Sequence, residues 1–233
     1  VKVTKMKKNG LIYLLISLII ILIVICCFLF YKFETKKCVT IKNEVKDILN
    51  PNYVFLGDSI TALYDLNKYY DGLPVVNSGI SGETTDDIVD NLQDRVYKYN
   101  PSKVIILIGI NDIERKISKE KTIENINKIV TQIKDNKPNC EIYLESIYPI
   151  NNGNEEKINH SMVGIRTNNQ VKSLNEDLVK LSKKEKINYI DLYDKLLDRN
   201  GNLKIEYTKE GLHMSDEGYE IITKYIKKYV LNQ

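Results

Sequence analysis

Four short stretches of this chain hold the residue types that nucleophilic catalysis needs. Gly57-Asp58-Ser59-Ile60-Thr61 supplies a serine, and Asn77-Ser78-Gly79-Ile80-Ser81-Gly82-Glu83-Thr84 supplies glycines. Gly109-Ile110-Asn111-Asp112 supplies an asparagine, and Glu210-Gly211-Leu212-His213 a histidine with a carboxylate three residues before it. A serine hydroxyl is a weak nucleophile and needs a base within hydrogen-bond reach. Imidazole, which titrates near neutrality, is the natural base. The chain has two histidines. His160 lies in a polar stretch, where a surface histidine is the ordinary case; His213 stands between Leu212 and Met214, just ahead of a helical pattern, and is the candidate base. A tetrahedral intermediate also needs donors for its oxyanion. The Asn111 side-chain amide can donate, Gly82 lacks a Cβ that would block its N–H, and the Ser59 N–H can join them. Asp58 and Asp112, the acids inside the first and third stretches, are expected to support this set. Taken singly, each stretch has a plainer reading as a helix cap or a turn. Their order along the chain is what argues for a site.

The elements that must position these residues follow from the apolar pattern. Tyr53-Val54-Phe55-Leu56 reads as a buried strand ending at Gly57, and Pro74-Val75-Val76-Asn77 as a second. Lys103 to Ile108 is the strongest strand; it does not alternate, so both of its faces should be covered. Glu141 to Ile147 is a fourth and Ile187 to Leu192 a fifth. Helical patterns cover Thr85–Tyr99, Thr122–Asn136, Asn168–Glu185 and Asp216–Val230, the last with Ser215 as its N-cap and acids in its first turn. Strand–helix alternation of this kind predicts a parallel sheet with helices on both faces. Ligands of such sheets gather at the carboxyl ends of the strands. Ser59 follows the first strand, Gly79 and Gly82 the second, Asn111 the third, and Glu210 and His213 lie beyond the fifth. All four stretches therefore fall on one rim. Residues 150–166, rich in Asn and broken by Gly153 and Gly164, read as a long loop of the sort that is often functional.

These residues resemble the SGNH (GDSL-type) hydrolase family over roughly residues 52–230. Gly57-Asp58-Ser59-Ile60 matches its first block, with Ser59 as nucleophile. Gly82 matches the glycine of its second block, Gly109 to Asp112 its third, and Glu210 to His213 its fifth, which usually reads Asp-x-x-His. The resemblance implies a flavodoxin-like three-layer α/β/α sandwich with a five-stranded parallel sheet. It implies esterase, lipase, thioesterase or acyltransferase chemistry with neither a metal nor an organic cofactor, on a small-molecule, lipid or glycan ester. Glu210 stands where the family has Asp, keeping the charge with a reach longer by about 1.5 Å. A Ser–His dyad, or backbone carbonyls orienting His213, are the other arrangements open to it.

The chain has 233 residues, 43% hydrophobic and 28% charged, enough for one α/β domain. Its net charge of +3 is unevenly placed. Residues 1–37 carry seven lysines and one acid, so the remainder is mildly acidic; that argues against nucleic-acid binding, which needs a basic face. Leu11 to Tyr31 is an apolar run without a charge, long enough to span a bilayer. It ends without the small residues of a signal cleavage site, so it reads as an uncleaved anchor. The expected organisation is a basic tail over 1–10, a transmembrane helix over 11–31, a linker over 32–51 and the hydrolase domain over 52–233. The Lys-rich N-terminus is expected to stay inside and the domain to lie outside the cytoplasm. Cys38 and Cys140 are expected as free thiols, a disulfide between them in an oxidising compartment being the alternative, and the Lys-, Asn- and Ile-rich composition without Trp resembles low-GC bacteria. The expected activity is a short-chain or O-acetyl esterase. An O-acyltransferase on cell-wall or surface glycan, a lysophospholipase or thioesterase, and an inactive binding module of the same fold are the alternatives. A flavodoxin-like nucleotide binder is disfavoured, because no P-loop or Gly-x-Gly-x-x-Gly follows the first strand. Neither oligomeric state nor natural substrate is legible.

Overall fold

Residues 21–37 and 52–231 are described in the computed structural model of the protein. The chain divides after Asn50 into two units. In the first, residues 21–37 form helix α1, whose side chains are exposed. Residues 11–20 of the apolar run, and Cys38, lie outside the described residues. Among the described residues, no helix is long and apolar enough to cross a membrane.

In the second unit the elements run β1 (Asn52–Gly57), α2 (Ser59–Ala62), α3 (Leu66–Tyr69), β2 (Val75–Gly79), α4 (Thr85–Asp90), α5 (Leu92–Arg95), β3 (Pro101–Leu107) and α6 (Ile110–Glu114). They continue with α7 (Lys119–Asn136), β4 (Glu141–Glu145), α8 (His160–Val163), α9 (Asn168–Glu185), β5 (Asn188–Ile190), α10 (Tyr193–Leu196) and α11 (Asp216–Val230). The five strands form one sheet in the order β2-β1-β3-β4-β5, every pair parallel. Val104, Ile105, Ile106 and Leu107 of β3 are all buried. Successive strand residues point to opposite faces, so helices cover this strand on both sides, as its unbroken apolar run predicts. Helices α4, α7 and α9 pack side by side. Helix α11 packs against the segment after β1: Tyr219 stacks on Tyr64 at 4.7 Å, and its hydroxyl donates to the Ile60 carbonyl at 2.7 Å.

Several elements differ from the expectation in their bounds, with α7 beginning at Lys119, β4 ending at Glu145 and β5 spanning only Asn188–Ile190; two of the differences have a local cause. The helix expected over Thr85–Tyr99 is three short pieces, α4, α5 and a 3-10 turn at Tyr97–Tyr99. The break falls at Asn91, whose side chain donates to the Asp87 carbonyl at 2.8 Å and competes with the helical ladder. The second strand begins at Val75 and runs on to Gly79, because Pro74 has no N–H to give to the sheet. Helices α9 and α11 have the expected bounds, with Ser215 capping α11 by accepting from the Gly218 N–H. The loop over 150–166 contains only the single turn α8.

Candidate active site

Ser59 is the first residue of α2, directly beyond β1. Asp58 caps that turn, its Oδ1 accepting from the Ile60 N–H at 2.9 Å. The strand end and the turn are pressed together. A Cβ on Gly57 would sit 2.3 Å from Thr61 Oγ1 and from the Leu107 carbonyl oxygen of β3, and one on Gly79 would sit 2.2 Å from the Ala62 nitrogen. Glycine at both positions lets the backbone carrying Ser59 settle onto the ends of β1 and β2.

His213 Nε2 lies 3.0 Å from Ser59 Oγ. His213 Nδ1 lies 2.6 Å from Glu210 Oε1, and the same oxygen accepts the His213 backbone N–H at 3.0 Å. The loop bearing both residues is tied at its neck: Thr208 donates to the His213 carbonyl and accepts from the Gly211 N–H. Gly211 takes φ +109 there, and a Cβ on it would meet the Asn151 carbonyl oxygen at 2.5 Å. Ser59, His213 and Glu210 thus form one hydrogen-bonded chain, with side-chain exposure of only 13% at His213 and 19% at Glu210. With Nδ1 facing a carboxylate, Nε2 is the nitrogen left free to take a proton from a hydroxyl. His160 is elsewhere: it is exposed and its Nδ1 meets Asn152 Oδ1 at 2.6 Å.

Asn111 sits in the first turn of α6, entered through Gly109 at φ +120. Its Nδ2 donates to the Glu83 carbonyl at 3.0 Å, and its Oδ1 accepts from Arg166 Nη2 at 2.8 Å. Gly82, at φ +82, lies in the turn beside Glu83. The N–H groups of Ser59 and Gly82 donate to no protein acceptor among the described residues. Asp112 ties three helices together: it accepts from the Thr85 N–H and hydroxyl at the start of α4 and from the Thr122 hydroxyl on α7. Asn77 joins β2 to the segment after Ser59, donating to the Thr61 and Tyr64 carbonyls while accepting from the Gly79 N–H.

Burial raises the Asp58 carboxyl to about 7, the Ile60 N–H opposing that shift. Its Oδ2 is buried without a partner. Burial likewise raises Asp112, against the hydrogen bonds from Thr85. Among the described residues, no group of three His, Cys, Asp or Glu side chains is placed to hold a metal ion.

Two arginines in this region carry no motif. Arg95 reaches the Gly57 and Ser78 carbonyls, the Ser78 hydroxyl and the Glu83 carboxylate, fixing the turn that holds Gly82. Arg166 comes from the long loop. The sequence signalled that loop by its length and composition, and gave no sign of the arginine.

The sequence profile of the GDSL-like Lipase/Acylhydrolase family matches residues 55–221, which include every residue of this site. The chain belongs to that family. A platelet-activating factor acetylhydrolase IB subunit beta homolog of Drosophila melanogaster is 30% identical to this acylhydrolase-family chain over 105 residues, 43% of this chain and 46% of its own. The N-acylneuraminate cytidylyltransferase of Streptococcus agalactiae serotype V is 24% identical over 181 residues. That match covers 76% of this chain but 38% of the relative, so the chain spans well under half the length of that protein. A solved Streptococcus pneumoniae structure named for platelet activating factor is 33% identical, with a TM-score of 0.73, over 77% of this chain and 84% of its own.

Proposed function

We propose that this protein is a serine ester hydrolase working through an acyl-enzyme on Ser59. The hydrogen-bonded chain Ser59–His213–Glu210, at 3.0 and 2.6 Å, carries the reading. Ser59 Oγ attacks the acyl carbonyl carbon while its proton passes to His213 Nε2. The Glu210 carboxylate holds the resulting imidazolium. The negative charge on the carbonyl oxygen is met by the Ser59 N–H, the Gly82 N–H and the Asn111 carboxamide, the first two of which have no other acceptor among the described residues. Collapse breaks the ester C–O bond, and the leaving alcohol takes the proton from Nε2. Water then repeats the sequence on the acyl-serine, its proton passing through His213, and releases the acid.

A short acyl group, acetyl first, is the proposed substrate feature, supported by the acetylhydrolase name of the Drosophila relative. The apolar run over 11–31 and its flanking lysines support tethering to a membrane, with the domain outside the cytoplasm.

The test is hydrolysis of p-nitrophenyl esters of graded chain length by the purified protein, together with labelling by a fluorophosphonate. Turnover and labelling are expected in the wild type and absent in Ser59→Ala, with His213→Ala labelling at least about 100-fold more slowly. Wild-type rates in Ser59→Ala would overturn the proposal.

A further inference from the structure

A buried guanidinium needs a reason, since taking a charge out of water is costly unless it is fully hydrogen-bonded. Arg166 is 5% exposed. Its Nε donates to the Ile110 carbonyl at 2.9 Å. Its Nη1 reaches the Glu114 carboxylate at 3.1 Å and the Met162 and Val163 carbonyls at 3.1 and 3.0 Å. Its Nη2 donates to Asn111 Oδ1 at 2.8 Å. Three of these partners, Ile110, Asn111 and Glu114, belong to α6. The long loop thus meets the turn over residues 210–213 through the Asn151 and Asn159 N–H groups, and meets the helix that carries Asn111 through the Arg166 side chain.

The chemistry of the two partners of Asn111 fixes which way its amide faces. Guanidinium is a donor only, so the atom it meets must be the amide oxygen. The Glu83 carbonyl is an acceptor only, so the atom it meets must be the amide nitrogen. One Nδ2 hydrogen is spent on Glu83, and the second remains available for an oxyanion. Turned over by 180°, the same carboxamide would present an oxygen lone pair where negative charge develops. Arg166 opposes that turn, and its charge polarises the amide so that the remaining N–H is a stronger donor.

We propose that Arg166 is a positioning residue for the oxyanion hole, locking the Asn111 carboxamide with its N–H toward the reacting oxygen. This rests on the reading of Asn111 as an oxyanion donor. Its effect belongs to the transition state, so it should appear in kcat rather than KM.

The test is a cycle of four proteins, wild type, Arg166→Gln, Asn111→Ala and the double variant, assayed on a p-nitrophenyl ester. Loss of one oxyanion donor costs about 10²–10³ in kcat. Arg166→Gln is expected to lower kcat by roughly 10- to 100-fold, with KM within about twofold. In the Asn111→Ala background the same change should cost less than about threefold, because nothing is left to position. Arg166→Lys, which keeps the charge but not the fork, should recover part of the loss and serves in place of Gln if that variant does not fold. Equal fold-losses in both backgrounds would overturn the proposal, since Arg166 would then act elsewhere.

The second readout does not need turnover. The Asn111 side-chain 15N–1H2 pair, identified by its absence in Asn111→Ala, should be shifted and slow to exchange in the wild type. In Arg166→Gln or Arg166→Lys it should move toward the position of a free amide while the backbone spectrum stays folded. An unmoved pair would also overturn the proposal. Absence of Ser59-dependent turnover in the wild type would instead sink the hydrolase reading, leaving the amide signal to decide the positioning by itself.

Discussion

One oxygen of Glu210 holds His213 twice, by its ring and by its backbone N–H. Here the longer Glu side chain makes that contact while its own backbone stays in a turn pinned at Gly211. Shortening it by about 1.5 Å would stretch a 2.6 Å contact beyond hydrogen-bond range. The backbone cannot follow, because Gly211 is pressed against the Asn151 carbonyl. Glu210→Asp is therefore expected to lower kcat by roughly tenfold, and Glu210→Gln, which keeps the reach but removes the charge, by roughly 10² or more. Ester hydrolysis by the two purified variants checks this, and wild-type rates in both would mean that His213 works in a dyad. At this scale the sequence was legible where chemistry sits in a local motif. Ser59, Asn111 and His213 each lie within a few residues of a strand end or a helix start. The fit of Glu210 was not legible, because it depends on how a four-residue turn closes. Arg166 was not legible either, because its partner Asn111 is 55 positions away and only folding brings them together.

Among the elements, the short turn α2 bears the proposed nucleophile and has too few residues to hold its own shape. It is held from outside, by the end of β2 beneath it, by the Asn77 side chain and by the Tyr219 hydroxyl on α11. The tightest of these contacts is at Gly79, where an added methyl would meet the Ala62 nitrogen at 2.2 Å and the Thr61 carbonyl carbon at 2.6 Å. Both are backbone atoms, so the turn must move as a whole. Gly79→Ala is expected to cost about 1–3 kcal/mol of stability. It should also lower kcat/KM by at least about tenfold, since a shift of order 1 Å spoils the 3.0 Å approach of Ser59 to His213. Urea unfolding and ester turnover measure the two effects, and a variant with unchanged stability would show that α2 yields at no cost. The strands and long helices around this turn were readable because burial imposes a period on the sequence: α9 and α11 have the expected ends. The stretch 85–99 departs from one helix because its apolar spacing is helical while the Asn91 side chain bonds the Asp87 carbonyl where α4 gives way to α5.

For the whole molecule, stability is tied to acids that the fold keeps dry. Glu145, at the carboxyl end of β4, is 4% exposed and accepts a hydrogen bond from the Tyr148 hydroxyl. Burial raises its carboxyl to about 8, the tyrosine bond opposing the shift only in part, and Asp58 is raised to about 7. A raised carboxyl pKa means that the folded chain keeps a proton which the unfolded chain has already released. The stabilisation is complete below the unfolded value near 4.5 and is lost as pH climbs through 8. Each group contributes a slope of up to about 1.4 kcal/mol per pH unit in its window. The protein should therefore melt at a lower temperature at pH 8 than at pH 5. Glu145→Gln carries the neutral shape at every pH and can still accept from Tyr148, so its melting temperature should fall less over that interval. For a domain of this size about 1 kcal/mol corresponds to roughly 2–4 °C, so the gap between the two melting curves at pH 8 should reach several degrees. Melting scans of both proteins from pH 5 to 8 decide the point, and parallel slopes would place the carboxyl of Glu145 in its ordinary range.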